Sequence, residues 1–198
     1  MIFIKMGEVI RKIFSIEKKN IPYKGIKPKA ADRSLSGPSF ADQDVQKAAM
    51  ALVHQSSTLV LATADETGPW SAPVYYVWLK GRFFFFSSPD SRHIRQALHT
   101  PKTAAAVYHS SESVKEIRGL QMEGRLMRIS SPLLSLEVIR RYVDRYPFVR
   151  PFFSNLNTPD AGDFFSRFKA RLYGFVPETV VYTDNRFGFG TRSSITLT

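Results

Sequence analysis

The chain of 198 residues contains no cysteine. Disulfide bonds, thiolate metal sites and cysteine nucleophiles are therefore excluded, which removes several classes of secreted protein and enzyme from consideration. The lack of cysteine is compatible with a reducing cytoplasm, where we expect the protein to act.

Long apolar runs are also lacking. The N-terminal segment Met1–Ile16 is interrupted by Lys5, Arg11 and Lys12, and it has no small-residue cleavage site of the kind found in signal peptides. No stretch of the chain approaches the roughly 20 apolar residues of a membrane-spanning helix. We therefore predict no signal peptide and no membrane span, and we interpret Met1–Ile16 as a short amphipathic helix.

The motifs of several enzyme classes are missing too. The sequence has no P-loop, no dinucleotide-binding GxGxxG, no HExxH and no GxSxG, so serine-hydrolase and zinc-protease chemistry have no support. The four histidines, His54, His93, His99 and His109, are not spaced as a metal-binding set. The segment GFGTRS at 188–193 lacks the strand-before-helix context of a phosphate loop, which favours a simple turn.

Positive charge is plentiful but uneven. The formal net charge is +11; residues 1–40 hold nine Lys and Arg against three Asp and Glu (net +6), and the other 158 residues hold 19 against 14 (net +5). We interpret residues 1–40 as a basic extension or linker. Such an arm could bind RNA, DNA or lipid head groups, but no aromatic and basic RNA-binding motif accompanies it, which favours a solvated extension.

Residues 41–198 have the pattern of one β-rich domain covered by a few helices. The sequence has 16 Phe and 8 Tyr, and aromatic residues are enriched in strands. Helical spacing of apolar residues predicts helices over 42–55 and 132–146. Short strands are predicted over 103–109, 117–129, 170–176 and 179–183, with a bulge or bend at Gly124.

The segment between residues 57 and 98 has the strongest local signals. Strands over 58–63, 74–79 and 82–86, with a two-residue turn at Lys80-Gly81, predict a β-meander. After it, Ser88 can cap a helix that has Pro89 in its first position. We expect the apolar face of this helix to carry Ile94, Ala97 and Leu98.

The beginning of this helix is a candidate phosphate site. Helix N-termini expose unpaired backbone N–H groups and partial positive charge, and polar side chains cluster at the same point: Ser87, Ser88, Ser91, Arg92 and His93. The alternative is an ordinary N-cap with Arg92 on a solvated face. The segment 148–168 is least readable and could be a lid or a dimer-contact loop.

Three motifs in this order resemble the pyridoxamine-phosphate-oxidase-like FMN-binding split-barrel proteins, and within them the uncharacterised YhbP-like group. The motifs are Ser91-Arg92-His93, then Ile117-Arg118-Gly119-Leu120-Gln121 followed by Gly124, then Thr183-Asp184-Asn185 followed by Gly188-Phe189-Gly190. The resemblance covers roughly residues 41–190. It implies a six-stranded antiparallel Greek-key split β-barrel with a few flanking helices, which forms a homodimer with a flavin in each of two interface grooves.

The resemblance also implies which residues bind the cofactor. The FMN phosphate would be held by Ser87, Ser88, Ser91, Arg92 and His93. The isoalloxazine ring would lie along Ala72, Pro73, Val74 and Tyr75. Gln121 would be a polar contact to the ring. The implied function is hydride or electron transfer between a reduced nicotinamide, or a partner, and a small acceptor, with no residue assigned as acid or base.

One departure from the family pattern leaves alternatives open. Many members carry a basic residue at the beginning of the second strand, whereas this chain has Trp70-Ser71-Ala72-Pro73 there. A weak FMN site, a deazaflavin such as F420 or a haem are therefore alternative occupants, with His109 as a candidate haem ligand. A non-catalytic binding or sensor module on the same fold is the alternative function.

Overall fold

The computed structural model describes residues 42–152, 166 and 169–198. The predicted extension 1–40 lies outside these residues, as does most of segment 148–168. No helix in the described ranges is long and apolar enough to cross a membrane.

The helices are α1 (Asp42–Gln55), α2 (Arg92–His99) and α3 (Pro132–Arg145), and the strands are β1 (Thr58–Asp65), β2 (Gly68–Tyr75), β3 (Val77–Leu79), β4 (Arg82–Ser87), β5 (Thr103–Tyr108), β6 (Arg118–Arg128), β7 (Arg171–Asp184) and β8 (Arg192–Ile195).

All eight strands belong to one antiparallel sheet with the order β2-β1-β5-β6-β7-β4-β3, and β8 pairs with β7. The two ends of this order, β2 and β3, are separated along the chain only by Tyr76. The sheet therefore curls until its end strands meet at this residue. The architecture is consistent with a split barrel, but the expected six-strand count and Greek-key connection are not confirmed.

The junction at Tyr76 corrects the predicted meander. The expected single strand over 74–79 is interrupted there, because β2 pairs with β1 whereas β3 pairs with β4 on the far side of the curled sheet. Tyr76 is fully buried, its backbone N–H donates to the Ser57 carbonyl (3.2 Å) and its hydroxyl donates to the Val53 carbonyl (2.6 Å). The predicted turn at Lys80-Gly81 is confirmed, since both residues have positive φ.

The β6–β7 pair contains the predicted irregularity. The register shifts between Glu123 and Gly124, and Glu178 is the extra residue on β7 because Glu123 faces Thr179 while Gly124 faces Pro177. A bulge tolerates proline within a sheet. The prediction of two strands over 170–176 and 179–183 was therefore wrong: β7 runs through the bulge as one strand. Strand β8 was not predicted.

The run of four phenylalanines in β4 is explained by burial on both faces of the sheet. Phe83 and Phe85 point into the core formed with α1 and α2, whereas Phe84 packs against α3. All three side chains are fully buried. Each contributes about 1.5–3 kcal/mol by leaving water, so β4 is the central stabilising strand between the two cores.

Helix α3 begins where its sequence predicts. Pro132 occupies the first turn, and the Ser131 hydroxyl accepts a bond from the backbone N–H of Leu134 (3.4 Å). Near its end, the Tyr146 hydroxyl donates to the carbonyl oxygens of Tyr76 (2.6 Å) and Ser57 (3.0 Å). The helix is thereby attached to the junction at which the sheet closes.

Candidate functional site

Helix α2 begins later than predicted. It starts at Arg92 with Ser91 in the N-cap position, and Ser88 instead accepts a bond from the backbone N–H of Asp90 (3.2 Å) within the preceding turn. The loop before the helix makes this turn first, which moves the helix start three residues along the chain. The apolar face was also partly wrong: Ile94 is buried, but Leu98 is 45% exposed.

Three polar side chains meet at the beginning of α2 and form what we call the serine–histidine cluster: Ser87, Ser91 and His93. The Ser87 hydroxyl lies 2.8 Å from His93 Nε2 and 3.2 Å from the Ser91 hydroxyl. The Ser91 hydroxyl donates to the Ser88 carbonyl (2.8 Å). Burial lowers the pKa of His93 below its ordinary value, so we expect a neutral imidazole near pH 7.

The serine–histidine cluster has the donors that an anion requires. The N-cap Ser91 side chain accepts no bond from the backbone N–H groups of the first turn of α2, and that turn has no acidic residue. Backbone N–H groups at a helix start are a recurrent phosphate-binding feature. Hydroxyl groups beside them add donors whose hydrogens can rotate toward a ligand. The cluster therefore fits the phosphate end of a ligand.

Arg92 has a different environment from the one predicted. Its Nη2 donates to the carbonyl oxygens of Thr67 (3.0 Å) and Gly68 (3.1 Å), and its guanidinium lies over the Trp70 ring at 4.8 Å. Its Nε is buried and has no hydrogen-bond partner among the described residues. Arg92 thus positions the β1–β2 hairpin against α2, and its buried Nε is closed off from solvent.

Gln96 is a residue that the sequence analysis missed. It is 1% exposed; its side-chain oxygen accepts from the Thr63 hydroxyl (2.6 Å), and its nitrogen donates to Asp65 (2.8 Å) and to the Gly68 carbonyl (3.0 Å). A glutamine beside the apolar residues of an amphipathic helix was the available signal. Together with Arg92, it attaches α2 to the hairpin at the beginning of β2.

The residues predicted to lie along the flavin ring divide between the two faces of β2. Ala72 is buried in the barrel and Val74 is half-buried, whereas Pro73 and Tyr75 are exposed on the outer face. Only the side chains of Pro73 and Tyr75 can contact a ligand that lies on this face. Ala72 and Val74 could contribute only through the backbone of this end strand.

Gln121 is exposed on the same outer face of the sheet. The strand registers place Pro73, Val60, Ala106 and Gln121 in one row across β2, β1, β5 and β6. The neighbouring row contributes two more small side chains, Ala62 and Ala104. These residues form a row of mostly small side chains on the outer face, which we call the outer bed.

Pro73 and Gln121 lie at opposite sides of the outer bed. Three strand spacings separate them, or about 14 Å at roughly 4.8 Å per spacing. One ring edge therefore cannot contact both residues of the same chain. The structure brings together Ser87, Ser91 and His93 with Arg92 nearby, but it does not bring Gln121 to them.

The remaining motifs have structural explanations in the described part of the chain. The buried Asp184 carboxylate accepts from the Tyr182 hydroxyl (2.6 Å) and from Arg186, and Asn185 bonds to Val114 and Gly190 across the turn.

His109 is exposed after β5 and lines a small polar cavity of about 270 Å³. No group of three potential metal ligands exists among the described residues.

The sequence matches known proteins over most of this domain. A family model described as "Pyridoxamine 5'-phosphate oxidase" matches residues 45–159. A UPF0306 protein of Klebsiella pneumoniae (strain 342), which belongs to the YhbP-like group, is 26% identical over 125 residues; the match covers 62% of this chain and 74% of the relative.

Solved structures support the fold. A heme binding protein from Mycobacterium smegmatis matches with a TM-score of 0.58 at 17% identity, covering 77% of this chain and 57% of that one. HutZ from Vibrio cholerae, described as a heme storage protein, matches with a TM-score of 0.53 at 18% identity, covering 68% and 90%. At these identities the likeness establishes the fold alone.

Proposed function

Because the chain belongs to the pyridoxamine 5′-phosphate oxidase family, we propose that it is a homodimeric FMN-binding oxidoreductase. It would transfer hydride or electrons between a reduced nicotinamide, or a partner, and a small acceptor. When bound, the flavin would supply the redox chemistry, and the protein would bind, orient and shield it.

The observation that carries this proposal is the serine–histidine cluster beside the hairpin from which β2 begins. The hydroxyls of Ser87 and Ser91 and the first-turn N–H groups of α2 are all donors. A phosphate accepts several such bonds at once. The residues present therefore fit the phosphate end of FMN, although Nη2 of Arg92 is already bonded to the hairpin.

The outer bed suggests why a dimer would be needed. A ring beside Pro73 and Tyr75 is about three strands away from Gln121 of the same chain, or roughly 14 Å. Gln121 could bond to that ring only if it came from a second copy of the chain. In this arrangement one chain would hold the phosphate and the near side of the ring, and the other would provide the amide that hydrogen-bonds to the ring edge.

The test is a titration of FMN into the purified protein by calorimetry, with the mass determined by light scattering. We expect one FMN per chain in a dimer. Replacing both Ser87 and Ser91 by alanine should weaken binding at least tenfold, because each hydrogen bond to a charged group contributes about 1.5–3 kcal/mol. Arg95→Ala is the matched control, since Arg95 is exposed on α2 and should not change the affinity.

The result that contradicts the proposal is an absorbance spectrum without flavin bands that stays unchanged when FMN is added. Equal weakening by Arg95→Ala and by the double serine variant would also contradict it, because the hydroxyls of the cluster would then matter no more than an exposed side chain outside it. Gln121→Leu provides a separate check of the dimer arrangement. It should weaken FMN binding without changing the mass of the particle.

A non-catalytic binding module is the second candidate. It is favoured by the described function of the two fold relatives, a heme binding protein and a heme storage protein. Its occupant could be haem, F420 or a flavin, and His109, exposed beside a cavity, is the candidate haem ligand. Turnover discriminates between the two functions: a bound flavin that reduced nicotinamides do not reduce would favour the binding module.

A further inference from the structure

A second cavity lies next to the loop that precedes α2. Its volume is about 980 Å³, and its walls come from that loop, the end of β6, the first turn of α3 and the beginning of β7. The polar and charged residues among those that line it include Asp90, Arg128, Ser130, Ser135, Lys169 and Arg171. None of Ser87, Ser91 and His93 lines it, so it is separate from the serine–histidine cluster.

The charges around this cavity are unbalanced. Among the described residues that line it, three are cationic, Arg128, Lys169 and Arg171, and one is a carboxylate, Asp90. The side chains of Arg128 and Lys169 make no ion pair and no hydrogen bond in the described part of the structure. Positive charges that line the same concave surface raise the local concentration of anions.

Two further observations show that the positive groups converge. Arg128 lies opposite Tyr173 in the β6–β7 pairing, and Arg171 lies two residues before Tyr173 on β7, so both arginines belong to the same face of these strands. Burial raises the pKa of the Tyr173 phenol, Arg128 and Arg171 oppose that rise, and Asp90 adds to it. The first turn of α3 lies in the wall through Pro132 and Ser135, and it contains no acidic residue. The positive end of a 14-residue helix dipole therefore adds to the charge of the side chains.

We propose that this basic cavity binds the phosphate group of a small phosphorylated molecule, at a site separate from that of the FMN phosphate. A phosphate dianion matches the chemistry of the wall, because guanidinium groups bond to two of its oxygens at once and serine hydroxyls supply further donors. The volume leaves room for the rest of a small metabolite beside the phosphate. The site does not depend on whether the protein binds flavin.

The experiment measures thermal unfolding of the full chain in inorganic phosphate and in chloride at equal ionic strength. A ligand that binds only the folded state raises the unfolding temperature. We expect phosphate to raise it above the chloride value, and Arg128→Gln to weaken phosphate binding at least tenfold. Arg140→Gln is the control, because Arg140 is exposed on α3 and does not line the cavity.

Arg128 is exposed at the end of β6, so the variant should unfold at the wild-type temperature in chloride. Lys169→Gln is a second variant that tests the part of the wall just before β7, and it should also weaken phosphate binding. The proposal fails if phosphate and chloride have the same effect on the wild type, or if Arg140→Gln weakens binding as much as Arg128→Gln.

A titration with FMN distinguishes the source of the phosphate. If the two sites are separate, Arg128→Gln leaves the affinity for FMN within twofold, and protein saturated with FMN still binds inorganic phosphate. If Arg128→Gln weakens FMN tenfold and saturating FMN abolishes phosphate binding, the cavity holds the cofactor's own phosphate and the separate site is refuted. If the protein binds no FMN but binds phosphate, and Arg128→Gln weakens that binding, the basic cavity stands and the flavin proposal fails.

Discussion

Gln96 allows a sharp test of how α2 is held against the barrel. Its side chain is buried and bonds to three groups of the β1–β2 hairpin: the Thr63 hydroxyl, the Asp65 carboxylate and the Gly68 carbonyl. Replacing it by leucine keeps a similar volume but removes all three bonds. The loss of unfolding free energy depends on which of these three groups can form a hydrogen bond with another partner.

Two of the three groups still have a hydrogen-bond partner after Gln96 is replaced. The Asp65 side chain is exposed, so water replaces the lost bond. The Gly68 carbonyl still accepts from Nη2 of Arg92 (3.1 Å). Thr63, however, is only 5% exposed, and its hydroxyl bonds only to Gln96 among the described residues. Leaving such a group unpaired costs about 1–3 kcal/mol, which is the loss of unfolding free energy that we expect for Gln96→Leu.

The double variant tests this reasoning directly. Thr63→Val alone should cost a similar amount, because it leaves the Gln96 oxygen without a donor. Combining the two changes removes both members of the buried pair, so the total cost should be smaller than the sum by about 1 kcal/mol or more. Urea denaturation measures all three values, provided that the m-value stays constant.

Additive costs in the double variant would refute the explanation, since they would show that the two side chains do not depend on one another. Gln121→Leu is the matched control. Gln121 is exposed on the outer bed, so its replacement should change the unfolding free energy by less than about 0.5 kcal/mol.

Two further predictions concern the cluster and the bulge. The folded pKa of His93 lies below its ordinary value of 6.5, so the unfolded state binds protons more readily. The free energy of unfolding should therefore fall as the pH drops through the folded pKa, and His93→Gln should make this loss smaller. Urea unfolding between pH 5 and 8 measures both. Gly124→Ala would place its Cβ in overlap with the Val176 carbonyl oxygen and should cost about 3 kcal/mol or more. Gly119→Ala, whose Cβ would have no neighbour closer than 3.5 Å, should cost less than about 1 kcal/mol by the same denaturation assay.

Local patterns in the sequence predicted most of the elements. The helices over 42–55 and 132–146 follow from apolar spacing, and Pro132 also marks the start of the second. The turn at Lys80-Gly81 follows from its glycine. These features depend on residues close together in the chain. Gly124 also predicted a bulge, although the extra residue proved to be Glu178 on the neighbouring strand.

The errors arose where distant segments decide the local structure. The interruption at Tyr76 depends on Val53 and Ser57, whose carbonyls bond to its hydroxyl and backbone N–H. A window of sequence around 74–79 contains neither partner and therefore resembles one uninterrupted strand. The same limitation applies to the long strand β7, because its passage through Pro177 requires the bulge against β6.

For the candidate site, the sequence predicted which side chains at the start of α2 lie close together, but not what Arg92 contacts. The Ser87, Ser91 and His93 side chains meet as expected, since they are close along the chain. The role of Arg92 was not predictable in this way, because its partners at Thr67, Gly68 and Trp70 lie more than twenty residues earlier. The basic cavity was missed for the same reason: Arg128 and Arg171 come from different strands.

The position of Arg92 bears on the departure noted at the beginning of β2. Many family members carry a basic residue at the beginning of β2, where this chain has Trp70-Ser71-Ala72-Pro73. The guanidinium of Arg92, however, lies 4.8 Å from the Trp70 ring and bonds to the Gly68 carbonyl. A positive charge is therefore present at the beginning of β2 even though its own sequence lacks one. Because Arg92 and Gln96 both tie this hairpin to α2, the serine–histidine cluster and the first residues of β2 are held in fixed geometry. A ligand that used both would meet a site that needs little rearrangement before binding, which favours affinity by lowering the entropic cost of ordering.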